Sequence, residues 1–99
     1  MNLKFLADLE QLLVERRQNM PEGSYTTKLF QSGPQKILQK VGEETIEYIL
    51  DAQNADKQKA VYEGADLIYH FMVSLVAQGW SLSDIIAELE KRHKPKGGD

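Results

Sequence analysis

Five carboxylates fall in two short clusters, Glu43, Glu44 and Glu47 within KVGEETIEYIL and Glu63 and Asp66 within YEGADLIYHF. On a helix, residues three or four apart project from one face, so E-E-x-x-E and E-x-x-D each present neighbouring oxygens. Two such helices side by side would gather like charges that repel unless a cation lies between them. Hard oxygen ligands of this kind suit Mg²⁺ or Mn²⁺. The spacing therefore predicts a divalent-metal site.

At roughly 100° per residue, Glu44 falls in the arc occupied by Ile37, Val41 and Tyr48, and so points to the packed side of its helix. An acid buried there is costly unless paired or metal-bound. Glu47 lies nearly above Lys40, with Glu43 flanking them, and Lys59, Glu63, Asp66 and His70 form one narrow stripe beside apolar neighbours. The competing explanation is a set of surface ion pairs, Lys40 with Glu44 and Lys59 with Glu63, each contributing only ~0.2–0.5 kcal/mol. Fifteen residues separate Glu47 from Glu63. That is enough to end one helix, turn, and return antiparallel with both clusters at similar height.

The elements that must position these acids are legible as amphipathic repeats. Leu3, Leu6, Leu9, Leu12 and Leu13 predict a first helix over about residues 2–18. Residues 19–34 contain two of the three prolines and two of the seven glycines, which stops the regular helix and leaves room for a short helical turn at Tyr25 to Phe30. Pro34 suits the opening turn of the next helix, whose stripe of Ile37, Leu38, Val41, Thr45, Tyr48 and Ile49 runs to about Ala52. Asn54 or Asp56 can cap a helix over about 56–78, with Gly79 as a left-handed stop. Ser81 and Asp84 match a capping signature that opens a last helix ending near His93. No segment alternates with the period of a strand, so the chain is expected to be all-α, a single domain over 1–94 with a flexible tail over 95–99.

Leu67, Ile68, Phe71, Met72, Val73, Leu75, Val76 and Ala77 leave little of their helix polar. Such a helix needs neighbours all round, and 99 residues supply few. The expectation is a homodimer that completes a four-to-five-helix bundle. The net charge of −3 argues against a broad basic surface for nucleic acid. With no cysteine, thiolate metal sites, disulfides and a cysteine nucleophile are excluded. Leu67 to Ala77 falls far short of the ~20 residues that cross a bilayer, and the first residues lack a signal-peptide pattern, so no membrane partner and a cytoplasmic location are expected.

The stretches SYTTKLFQSG, KVGEETIE, EGADLIYHF, GWSLSDIIAEL and KRHK occur in one order along the chain. In this arrangement the sequence resembles the phosphoribosyl-ATP pyrophosphohydrolases of histidine biosynthesis, members of the MazG-like all-α nucleotide pyrophosphatases, over about residues 3–94. The superfamily mark, E-x-x-E followed by E-x-x-D, is matched by Glu44, Glu47, Glu63 and Asp66. One departure is Gly64, where the pattern has alanine. The resemblance implies a MazG-like bundle and Mg²⁺-dependent hydrolysis of 1-(5-phosphoribosyl)-ATP to 1-(5-phosphoribosyl)-AMP and pyrophosphate, the second step of histidine biosynthesis. It assigns Glu44, Glu47, Glu63 and Asp66 to metal, with Glu43 to orient or deprotonate the attacking water. It places Lys28 and Lys40, then Arg92 and His93, against substrate phosphates, with Tyr25 and Thr26 as hydrogen-bonding groups. For Lys40, pairing with Glu44 weighs equally against phosphate contact. His70 reads as a hydrogen-bonded core residue and stays outside the metal set. The alternatives are a house-cleaning nucleoside triphosphate pyrophosphatase of the same superfamily, and a non-catalytic helical dimerisation module.

Overall fold

A computed structural model describes residues 1–93. It contains five helices in sequence order and no strand among the described residues. The tail expected over 95–99 lies outside them. Helix α1 (Lys4–Asn19) ends where Met20 turns left-handed and its N–H bonds to the Arg16 carbonyl. The break that follows is shorter than its composition suggests. Ser24 accepts a hydrogen bond from the Thr27 N–H and starts α2 (Tyr25–Ser32), two full turns where the sequence only allowed for a brief one. A single side-chain cap suffices to convert the loop because α2 also buries Thr27 and Leu29 against its neighbours.

Gly33, at φ 91°, ends α2 and directly precedes α3 (Pro34–Gln53), with Pro34 at the first helical position as expected. The positive φ there favours glycine over any residue with a Cβ. Asp56, rather than Asn54, caps α4 (Lys57–Ala77) by accepting from the Lys59 N–H. Between Gln53 and Lys57 the connection is so short that α3 and α4 must run antiparallel, and they form the main packed pair of the fold. Arg17 of α1 donates from Nη1 to the Val76 carbonyl at 2.6 Å, tying down the last turn of α4. Ser81 and Asp84 form the expected capping box of α5 (Leu82–Arg92). Glu10 of α1 accepts from the Leu82 N–H, so the start of α5 is anchored to α1.

Leu13, Leu29, Ile37, Met72, Val73 and Val76 form the buried core, with Leu6, Leu9, Phe30 and Tyr69 packed around it. The C-terminal half of α4 is enclosed by α1, α2 and α3. Its N-terminal half is not: Val61 and Tyr62 are exposed, as are Ile68 near its middle and Leu38, Ile46, Ile49 and Leu50 of α3. One chain therefore covers only part of the apolar surface that its central hairpin presents.

Candidate metal centre

Helices α3 and α4 carry the acids to a common seam. Glu44 is 6 % exposed, as its place in the apolar arc predicts. One oxygen from each of Glu44, Glu63 and Asp66 lies within 4.8 Å of the others. Both Glu44 Oε2 and Glu63 Oε2 are buried without a hydrogen-bond partner. A buried carboxylate oxygen left unpaired is expensive, and two such oxygens on acids of one close cluster belong to a donor set that a hard divalent cation satisfies. The residues thus fit the ion that their spacing predicts.

Glu47 lies outside this trio and joins it through Glu63. Burial, followed by the closeness of the Glu47 and Glu44 carboxyls, pushes the Glu63 carboxyl from its ordinary 4.5 up to about 7. A carboxyl that keeps its proton adds no charge to the cluster, and so relieves part of the repulsion that a cation would relieve. Glu47 and Glu63 also form part of the wall of an open cleft of about 650 Å³ at the hairpin end, with Tyr62 and Leu50 among its other walls.

Glu43 differs in kind. It is half-exposed, and the Gln39 amide donates to it at 3.0 Å. That hydrogen bond, with help from the charges of Lys40 and Lys36, outweighs partial burial and lowers its pKa. Lys40 Nζ stands 3.4 Å from Glu44 Oε1 and 3.7 Å from Glu43 Oε1. Burial works against its charge, but the hydrogen bond to Glu44 and the nearby anionic groups more than offset it, so its pKa is raised. Of the two ion pairs weighed from the sequence, Lys40 with Glu44 therefore forms. The pair between Lys59 and Glu63 does not: Glu63 turns into the acid cluster instead.

The remaining candidates divide. Tyr25 and Thr26 both reach α4, where the Tyr25 hydroxyl meets His70 Nε2 at 2.9 Å and Thr26 Oγ1 contacts the Tyr69 hydroxyl. Burial raises the Tyr25 pKa, with Lys40 opposing. His70 Nδ1 lies 2.7 Å from the Asp66 carbonyl, which can only accept, so Nδ1 carries the proton and Nε2 accepts from Tyr25. His70 is thus the hydrogen-bonded core residue that the sequence suggests, and it connects α2 to the backbone of Asp66. Lys28 lines a separate cup beside Tyr25 and Lys40. Arg92 is paired with Glu88 at 2.9 Å and makes no ion pair with the acids, and the His93 N–H closes the last turn of α5 on Leu89. Tyr69, the partner of Thr26, was not legible in the sequence because its position reads equally as core.

Together the helical fold and the three converging carboxylates define a small all-α protein with an acidic site suited to a divalent cation. A family model described as phosphoribosyl-ATP pyrophosphohydrolase matches residues 6–93, and the chain belongs to that family. It is 48 % identical over 89 residues to the histidine biosynthesis bifunctional protein HisIE of Bacteroides thetaiotaomicron, covering 90 % of this chain and 44 % of that one. It is 49 % identical over 86 residues to the bifunctional HisIE of Bacillus subtilis, covering 87 % of this chain and 41 % of that one. It is also 47 % identical over 91 residues to the phosphoribosyl-ATP pyrophosphatase of Leptospira biflexa, covering 92 % of this chain and 99 % of that one. The chain thus spans less than half the length of the bifunctional relatives and nearly the whole of the Leptospira protein.

Proposed function

We propose that this chain hydrolyses 1-(5-phosphoribosyl)-ATP to 1-(5-phosphoribosyl)-AMP and pyrophosphate with Mg²⁺, as the second step of histidine biosynthesis. The observation that carries the chemistry is the convergence of Glu44, Glu63 and Asp66 around two unpaired buried oxygens. The substrate is taken from the family and from the Leptospira relative that matches over nearly its full length.

Carboxylates repel a triphosphate, so the acids act on it only through a cation held between them. Glu44, Glu63 and Asp66 would hold it, and Glu47, on the adjacent turn of α3, would complete the set. When bound, Mg²⁺ neutralises phosphate oxygens and makes water more acidic. Glu43, beside the cluster and held by the Gln39 amide, orients or deprotonates the attacking water. Lys40, already aligned with Glu44, turns its ammonium toward the phosphates when substrate arrives. Tyr25 and Thr26 brace α2 against α4 through His70 and Tyr69, and so keep the seam in register.

The exposed apolar residues of the hairpin, among them Ile46, Ile49 and Ile68, favour a homodimer that covers them. No described helix is long and apolar enough to cross a membrane, and the cytoplasm is the proposed compartment. The direct test is pyrophosphate release from phosphoribosyl-ATP in ¹⁸O-labelled water, with dUTP and dCTP as competing substrates. Equal rates on all three would replace this reading with a general nucleotide pyrophosphatase. Undiminished release by Glu44→Gln and Asp66→Asn would remove the site.

A further inference from the structure

Beside the acid seam, an open cup of about 260 Å³ lies between α2 and α3, walled by Tyr25, Lys28, Ser32, Lys36 and Lys40 with buried Leu29 as its floor. Three lysines around one small concavity are unexpected in a chain of net charge −3. Two of the three make no close ion pair among the described residues: Lys40 leans on Glu43 and Glu44, but neither Lys28 nor Lys36 forms one. The Ser32 hydroxyl donates to the Leu29 carbonyl at 2.6 Å, so the Lys28 and Lys36 ammonium groups are the side-chain donors the cup offers.

The cup is also placed to act with the acids. Lys36, Lys40 and Glu44 follow one another at intervals of four along α3 and share a face, with about 6 Å of rise per interval. Tyr25, the opposite wall, is linked through His70 to the backbone of Asp66. Cation cup and acid cluster therefore share α3, and the link from Tyr25 to α4 ties the far wall of the cup to the helix that carries Glu63 and Asp66.

We infer that this cup binds a phosphoryl group of the substrate, with Lys36 as its dedicated ligand and Lys28 beside it. The inference rests on the hydrolysis proposed above and extends it, since Lys36 belongs to none of the motifs used to assign that activity. Ammonium groups bind phosphate as point charges, and the substrate carries phosphate at two places, the terminal end of the triphosphate and the ribose attached to the purine. Either fits the cup, and the two products, with AMP as the control for the phosphate that stays on phosphoribosyl-AMP, separate them.

The test uses Lys36→Gln and Lys28→Gln in the full chain, with Lys36→Arg as the charge-preserving variant and Lys4→Gln as a control for net charge. Lys36→Gln is expected to raise KM for phosphoribosyl-ATP about tenfold, the loss of roughly one charge-assisted contact, while Lys36→Arg restores it and Lys4→Gln does not change it. Inhibition weakened selectively for inorganic pyrophosphate assigns the cup to the leaving group. Weakened inhibition by phosphoribosyl-AMP, with inhibition by AMP unchanged, assigns it to the ribose phosphate. If Lys36→Gln and Lys28→Gln leave KM and both inhibition constants within about twofold of wild type, a change too small for a lost phosphate contact, the inference is overturned. Should the wild-type chain fail to cleave phosphoribosyl-ATP, the proposed activity falls instead, and calorimetric binding of inorganic pyrophosphate to wild type against Lys36→Gln still decides the cup.

Discussion

Glu44→Gln should make the metal-free protein more stable while removing its activity. In the native chain Glu44 Oε2 is buried and lacks a donor, and an unpaired buried oxygen costs about 1–3 kcal/mol. The amide of the variant can donate to the Glu63 carboxylate and removes one charge from the cluster. Against this stands the weakened pair with Lys40, an i,i+4 contact contributing ~0.2–0.5 kcal/mol. The net gain is about 1–2 kcal/mol, which for a domain of this size raises the melting temperature by about 4–16 °C. Saturating Mg²⁺ should reverse the order, because an ion at a hundred times its Kd adds about 2.7 kcal/mol to a chain that binds it. Circular dichroism melts in EDTA and in Mg²⁺, at one protein concentration, read both effects, and pyrophosphate release reads the activity. A variant that melts below wild type in EDTA, or gains as much from Mg²⁺, would refute the view that these acids are held together at a cost only a cation relieves.

Glu63 gives the site a pH signature. Its pKa is raised in the folded chain from 4.5 to about 7, so the folded state keeps a proton that the unfolded state releases; the contribution is full below about 4.5 and is lost as pH rises through about 7. Denaturant midpoints in EDTA should therefore fall over that interval, and Glu63→Gln should flatten the fall; parallel curves for the two proteins would contradict it. Gly64→Ala should stabilise the chain by about 0.5–1 kcal/mol, since helical glycine is unfavourable and the added Cβ would sit at an ordinary 3.7 Å from the Tyr48 ring; a lowered urea midpoint would show that the contact is tighter than that. Leu13→Ala, at a side chain 1 % exposed in the centre of the core, should cost about 2–5 kcal/mol, and a loss under 1 kcal/mol in urea titration would mean that α1 is not integral to the fold.

Much of this was legible in the residues. Apolar spacing located the long helices, Pro34 and the Ser81–Asp84 pair marked two of their starts, and the angle of Glu44 relative to Ile37 and Val41 foretold a buried acid. These signals are local: each depends on the geometry of one helix, which 3.6 residues per turn dictates. The second turn of α2 was hidden because its stability comes from burying Thr27 and Leu29 rather than from a repeat.

What only the tertiary structure decided is the relation between helices. Periodicity assigns each acid an angle about its own axis but not the roll or offset of α3 against α4, and small changes in either move a carboxylate by several ångströms. The packing of Ile37 and Val73 in the shared core sets both. It brings Glu44, Glu63 and Asp66 together, leaves Glu47 one step out, turns Glu63 away from Lys59, and sets Lys36 and Lys28 from two helices around one cup. The sequence by itself determined which residues could do chemistry; the depth and angle at which two helices meet determined which of them do it together.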